Sequence, residues 1–411
     1  MDHRVKSFFR WLGLTNELFI IFVLALCLFV PGNIYARLPQ GPWSGHLEFR
    51  QIAPPISSEH REDIKSMLTA NRLQLEKSGV LKMQDSVSLV ELQWPLKVSD
   101  NFKDPGYHGV SGFVDHNASY PDQLKDYSCG VRTYDLDSGY NHQGTDYFLW
   151  PFPWHKVDAN EVTVVATAPG VVIGRFDGNP DRNCDFGEGS WNAVYIQHAD
   201  GNTVLYGHLK QNSVTSKQVG DSVSVGEYLG VVASSGNSTG PHLHMEVVDP
   251  QGNIIDPYSA SCQPDSSLWV AQRPYYDSAV NALRTHFSAP EFRSCPEPTV
   301  KNERNQFKPG ERIYLAAYYR DQLAGQQSEY TLFEPDGSIY SQWTHASSTP
   351  HYAASYWYWY FDFPPNVAQG VWNFQVIYEG VTYSHYFTIR NAQSITPPLM
   401  LLLDEATTRR Q

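Results

Sequence analysis

The chain has 411 residues, 43 of them Asp or Glu against 30 Lys or Arg, for a formal net charge of −13. That length accommodates two or three domains, and the acidic balance argues against nucleic acid as a partner and against simple electrostatic adhesion to an anionic surface. High aromatic content, few charges and abundant Gly and Pro favour short strands and many turns over long helices.

Arg4, Lys6 and Arg10 precede an apolar run, Leu18 to Val30, which is followed by Pro31-Gly32 and Ala36. Residues 1–36 read as a secretory signal peptide, with export to the periplasm or the exterior. The run is shorter than the roughly twenty apolar residues a span needs. An uncleaved anchor is the alternative, and the only route to a membrane. Cys27 belongs to this segment. Its removal leaves Cys129, Cys184, Cys262 and Cys295. An even number in an exported chain suggests two disulfides.

Residues 37–100 form an N-terminal extension with one helix. Ser58 to Ser78 has Ser58 as candidate N-cap, acidic Glu59, Glu62 and Asp63 in its first turns, and Gly79 just past its end. Ile64, Met67, Leu68 and Leu75 make one apolar stripe, expected to pack on the next domain.

Residues 101–262 carry the chemistry. His142-Gln-Gly-Thr-Asp146 offers an imidazole and a carboxylate four apart. Gly144 and the following Tyr147-Phe148-Leu149 argue for a turn entering a strand. From 162 to 248, strands alternate with Gly-centred turns, which fits an antiparallel, barrel-like β fold with a groove. Asn192–His198 and Thr203–His208 flank Ala199-Asp-Gly-Asn202, a strong hairpin signal. His208 ends the second strand. Then comes Ser234-Ser-Gly-Asn-Ser-Thr-Gly-Pro-His-Leu-His-Met-Glu246. In a strand, residues i and i+2 share a face, so His242 and His244 stand together while Leu243 and Met245 face the core. Glu246 shares the histidine face and reads as an ordinary solvated strand residue, with a carboxylate that orients one of the histidines as the alternative. An H-x-H pair alone is weak evidence, because two surface or core histidines would look the same. With His142 and Asp146, however, His244 completes three N/O ligands with a fourth position for water, the pattern of a catalytic zinc.

Residues 263–299 form a connector, with a short helix expected over Asp277 to Phe287 and a boundary at Pro296-Glu-Pro298. From 300 to 391, six strands are expected: Ile313–Tyr319, Tyr330–Phe333, Ser338–Trp343, Tyr356–Phe363, Val371–Tyr378 and Tyr383–Ile389. That density suggests an immunoglobulin-like β-sandwich. In Tyr356-Trp-Tyr-Trp-Tyr-Phe361, Trp357, Trp359 and Phe361 would face inward and the tyrosines solvent, as ordinary surface or as a strip that stacks on sugars. Residues 392–411 are a tail.

The ordered motifs His142-x-Gly-x-Asp146, Ala168-Pro-Gly-Val-Val172, Asn192-Ala-Val-Tyr-Ile196, Tyr206-Gly-His-Leu209, Val219-Gly-Asp-Ser-Val-Ser-Val-Gly226, Ser235 to His244 and Asp256-Pro257 resemble lysostaphin- or LytM-type zinc endopeptidases. That family cuts peptide bridges in bacterial peptidoglycan. The resemblance covers roughly residues 128 to 260 and lacks none of the family's metal or catalytic positions. It implies one zinc held by His142, Asp146 and His244, with His208 and His242 as catalytic histidines facing the metal. Asn192 and Tyr206 are candidate substrate-binding residues. The expected partner is a stem or cross-bridge peptide, met by a monomer. The alternative is a non-catalytic wall-binding or amidase-activating protein of the same fold. A third reading is a protease of secreted proteins.

Some relatives of this kind are latent, with an upstream polar side chain filling the open metal position. Here the Asp115-His-Asn117 loop is the candidate. Of the three possible disulfide pairings, Cys129–Cys184 would brace the mouth of the site and Cys262–Cys295 would clamp the segment after the domain.

Overall fold

A computed structural model of the chain describes residues 38–46, 53–81, 89–185, 189–293, 295, 300 and 302–391. The expected signal segment and the tail lie outside the described residues. In chain order the first elements are β1 (Gln40–His46), α1 (Ser58–Lys77), β2 (Leu96–Val98), β3 (His108–Gly112), β4 (Thr145–Leu149), α2 (Pro153–Asp158) and β5 (Val162–Val165). Next come β6 (Gly170–Phe176), β7 (Ala193–Gln197), β8 (Thr203–Gly207), β9 (Ser222–Val223), β10 (Tyr228–Val231), β11 (His242–Val248) and β12 (Ile254–Ile255). The C-terminal part adds β13 (Ala279–His286), β14 (Gln306–Phe307), β15 (Arg312–Leu323), β16 (Gln327–Phe333), β17 (Ile339–Ala346), β18 (His351–Asp362), β19 (Gly370–Tyr378) and β20 (Val381–Ile389). The fold is mainly β and antiparallel; β14 with β20 is a parallel pair.

The hairpin expected at Asp200-Gly201 joins β7 to β8, and Gly201 takes the positive φ, +87°, that such a turn asks for. These strands belong to an eight-stranded sheet ordered β3-β4-β11-β8-β7-β6-β9, with β12 paired on β11. Alternation gives that sheet two unlike faces. Val172, Val194, Ile196, Val204, Tyr206, Leu243, Met245 and Val247 point to one side. There they meet Leu96, Val162, Val164 and Leu229 of a second sheet, β10-β5-β2. The apolar face is thus buried by a covering sheet, not by joining edge to edge. β3 and β9 remain edges, so the barrel-like arrangement is not closed into a barrel.

Helix α1 covers part of the opposite face. Its N-cap is Ser57, whose Oγ accepts from the His60 amide at 3.2 Å, one residue before the expected Ser58. Ile56, Ile64 and Leu75 pack against Ile173, Trp191, Ala193, Tyr195 and Leu205. The expected stripe is therefore a docking stripe.

The C-terminal region forms two sheets, β1-β18-β15-β13 and β14-β20-β19-β16-β17. Val280, Leu315, Trp359 and Phe361 of the first share a core with Tyr330, Trp372, Phe374 and Phe387 of the second. All six expected strands are present. The expected helix at Asp277–Phe287 is instead strand β13, paired with β15. Both its faces are buried, with Val280 and Leu283 in the core shared by these two sheets and Ala282 in the cluster of Phe148 and Trp150. A strand apolar on both sides loses the period of two. The aromatic run also differs from expectation. Tyr356 packs on Trp150 and Phe292, and Trp43 of β1 stacks over Tyr358 and Tyr360 at 5.8 and 5.2 Å. The tyrosine face is thus partly covered, at Tyr356 and Tyr358 by the cluster around Phe148 and Trp150, and at Tyr358 and Tyr360 by Trp43 from the neighbouring strand of the same sheet.

The disulfides are Cys129–Cys262 and Cys184–Cys295, which corrects both expected pairings. Cys129 and Cys262 are brought together where the Cys262 amide donates to the Tyr127 carbonyl at 2.9 Å. That contact is long-range and has no signature in spacing. Among the described residues no helix is long and apolar enough to cross a membrane.

Candidate metal centre

β11 lies between β4 and β8, and its register sets the site. His244 is opposite Asp146 on β4 and Gly207 on β8. One ligand atom each from His142, Asp146 and His244 lies within 4.8 Å of the others. His142 Nε2 is 3.1 Å from Asp146 Oδ2, and His244 Nδ1 is 2.7 Å from Asp146 Oδ1. All three residues are buried. Gly144 makes the approach possible by space, not by backbone conformation. A Cβ there would lie 2.6 Å from the Met245 carbonyl and 2.9 Å from His244 Cε1.

The tautomers follow from the second nitrogens. His142 Nδ1 donates to the Phe113 carbonyl at 2.7 Å, so Nε2 carries the lone pair. That Nε2 is buried and has no hydrogen-bond partner. Tyr134 stacks on the ring, with centroids 4.2 Å apart. His244 Nε2 meets Glu246 Oε1 at 2.9 Å. Burial disfavours a charged His244 ring, but Asp146 and Glu246 outweigh it and raise its pKa to about 9. Two imidazoles and one carboxylate, with a buried lone pair that nothing else uses, fit a zinc-type ion.

His208 and His242 stand beside this cluster, ring centroids 4.3 Å apart. His208 Nδ1 donates to the Ser235 carbonyl at 2.5 Å and His242 Nδ1 to the Gly240 carbonyl at 2.8 Å. In both rings Nε2 is left as an acceptor. Burial first, then neighbouring imidazoles, pushes the His208 pKa well below its ordinary value; burial lowers that of His242. Both are therefore neutral. His208 also sits at φ +62°, in the left-handed region that side chains seldom adopt. The indole of Trp191 packs edge-on to it at 5.3 Å.

The other candidates are placed elsewhere. Tyr206 shares the Met245 face, opposite to the histidines, and hydrogen-bonds Thr167 in the core. Asn192 is buried and bonds the Leu209 and Asn179 carbonyls, so it braces the turn carrying His208. His116 pairs with Asp256 at 2.8 Å, and Asp115 Oδ1 accepts from the Asn117 and Lys125 amides. Neither His116 nor Asp115 joins the ligand cluster.

Glu246 is the opposite case. Read from sequence as a solvated residue, it is buried because α1 lies over this end of β11, and Arg61 grips it with two hydrogen bonds of 2.8 and 2.9 Å. The i+2 spacing from His244 was the available signal for Glu246. Arg61, 185 positions away, left none.

Comparison with known proteins agrees with this geometry. Residues 141–257 match the model of peptidase family M23. This segment is a peptidase M23 domain. It is 38% identical over 102 residues to the DD-carboxypeptidase/endopeptidase Mpg of Neisseria meningitidis serogroup B, and equally so to that of Neisseria gonorrhoeae. The match spans 23% of this chain and 23% of each relative. Among solved structures, a zinc containing peptidase from Vibrio cholerae is similar at 21% identity and TM-score 0.26, over 42% of this chain and 40% of that one. The catalytic domain of lysostaphin from Staphylococcus simulans is similar at 22% identity and TM-score 0.23, over 39% and 96%.

Proposed function

We propose that the chain is an exported zinc metalloendopeptidase that hydrolyses peptide cross-links of bacterial peptidoglycan, with residues 101–262 as its catalytic domain. The convergence of one ligand atom each from His142, Asp146 and His244 within 4.8 Å, with His142 Nε2 and His244 Nδ1 3.1 and 2.7 Å from the Asp146 carboxylate and two neutral imidazoles beside them, carries the reading. These three side chains would hold the ion. When bound, zinc supplies Lewis-acid polarisation of a carbonyl and a water whose pKa falls to about 7.

The protein's own groups would move the proton. With Nδ1–H fixed on a backbone carbonyl, His208 and His242 each present Nε2 as a base. Donation to an oxyanion needs a proton on that same nitrogen. A ring gains this donor only by first taking the proton of the attacking water, and it then returns the proton to the leaving amine. The backbone hydrogen bonds and the strained turn at His208 keep the rings aimed without reorganisation.

The two disulfides support an oxidising compartment outside the cytoplasm. The activity in the relatives' name, DD-carboxypeptidase/endopeptidase, favours a D,D-peptide bond as the one cut. The test is digestion of purified sacculi by the full chain, with fragments identified by mass spectrometry and zinc by elemental analysis. Expected are cleaved cross-links and about one zinc per chain, both lost in His244→Ala. Sacculus binding without any released fragment would instead favour the non-catalytic alternative.

A further inference from the structure

Arg61 lies on the first turns of α1, well upstream of the matched domain, yet its guanidinium ends at the ligand cluster. Nη1 donates to Glu246 Oε2 at 2.9 Å and Nη2 to Glu246 Oε1 at 2.8 Å. The same Oε1 accepts from His244 Nε2 at 2.9 Å. A two-pronged contact fixes the plane of a carboxylate, which a single point charge does not. With its acceptor held, the His244 ring keeps the proton on Nε2 and turns Nδ1 towards Asp146 and His142. On the other side, the ring's Cε1–Nε2 edge lies over Gly144, where an added Cβ would come within 2.9 and 3.0 Å of those two atoms.

The segment that carries Arg61 is itself pinned near the same site. Asn237 of the loop leading to His242 donates through its amide to the Pro55 carbonyl at 3.0 Å and through Nδ2 to the Pro54 carbonyl at 2.9 Å. Ile56 and Ile64 anchor the first turns of α1 on the sheet. Buried Glu246 has Arg61 as its cationic partner, and a buried carboxylate stripped of such a partner does not keep its place.

We propose that Arg61 is a positioning residue of the metal centre, acting through Glu246 to fix the His244 ring, so that metal affinity depends on how α1 is docked. This rests on the reading of His142, Asp146 and His244 as metal ligands. The test is the zinc dissociation constant of the full chain, measured by competition with a chromophoric chelator. It is read for wild type, Arg61→Met, Arg61→Lys, Glu246→Ala and the Arg61→Met/Glu246→Ala double variant.

Arg61→Met should weaken zinc about 10- to 100-fold, the usual cost of losing a partner behind a ligand. Arg61→Lys should recover only part, since one ammonium cannot hold both oxygens. In the Glu246→Ala background, Arg61→Met should add nothing. Long-range 1H–15N spectra of the zinc-loaded protein should show the Nε2–H form of His244 in wild type and a weakened Nε2–H signature in Arg61→Met. Circular dichroism reports folding, and if Arg61→Met fails to fold, Arg61→Lys carries the comparison. Wild-type affinity in the Arg61 variants would overturn the inference, as would an equal loss on removing Arg61 without Glu246. Failure of wild type to bind zinc would instead remove the metal reading beneath it.

Discussion

Gly144→Ala tests the site's geometry with one methyl group. The Cβ would sit 2.6 Å from the Met245 carbonyl, a backbone atom of β11 with no freedom to rotate away, and 2.9 and 3.0 Å from Cε1 and Nε2 of His244. Ordinary contact needs about 3.5 Å, so β4 and β11 must part, or His244 must tilt, by roughly half an ångström or more. Overpacking of this kind costs about 1 to 3 kcal/mol. Metal–ligand distances hold only within about 0.2 Å, so a ligand so displaced must be forced back for an ion to bind. If that strain is relieved in the free protein and restored on binding, zinc affinity falls about 5- to 150-fold. Chelator competition measures this directly. Gly240→Ala is the control: a Cβ there meets nothing within 4 Å, although the residue lies two positions before His242. Equal zinc affinity in Gly144→Ala and wild type, or an equal loss in Gly240→Ala, would refute the reasoning.

His208→Ala should retain zinc yet lose about two or more orders of magnitude in the rate of cross-link cleavage, while His142→Ala should lose the metal itself; matched zinc analysis and turnover separate the two. Buried His286, whose Nε2 pairs with the Tyr318 hydroxyl at 2.9 Å, is pushed down to about 3 by burial and then by Arg284. It stays neutral in the fold, whereas the unfolded chain takes up this proton below about pH 6.5. Its contribution is therefore complete above about 6.5 and is lost as pH falls towards about 3, at no more than roughly 1.4 kcal/mol per pH unit. His286→Gln, with an acceptor that does not titrate, should flatten that slope in urea melts at pH 7, 6 and 5; an unchanged slope would count against it. Replacing Cys129 and Cys262 together by Ser opens a loop of 133 residues. This should lower stability by about 2 to 4 kcal/mol, and peptide mapping without reductant should recover Cys129 joined to Cys262 and Cys184 to Cys295.

What was legible in the sequence was what a period of two encodes. His242 and His244 share a face because Leu243 and Met245 need the other, and Asp200-Gly201 marks the hairpin because few residues tolerate its backbone. The stripe of α1 was visible for the same reason, at helical spacing. β13 was not, because a strand buried on both sides carries no alternation and its apolar residues fall at spacings a helix shares. Disulfide partners were hidden too. Four cysteines allow three pairings, and only the path of the chain through β11 and the connector chooses among them.

Glu246 shows where such reading stops and why. On β11 its place beside His244 was plain, but its burial depends on α1, whose docking is decided by Ile56, Ile64 and Leu75 against Ile173, Ala193, Tyr195 and Leu205 on the same face of the sheet. The same apolar contacts that hold the extension also carry a cation to a carboxylate that cannot stay buried alone. The polar face of the sheet is thus not simply the side left over when the core formed. It is a second interior, built from residues 54 to 246, in which each buried charge is answered by a group from a different element. A substitution in α1 is therefore expected to reach the ligand cluster, while the sheet's own apolar face, closed by the β10-β5-β2 sheet, remains indifferent to it.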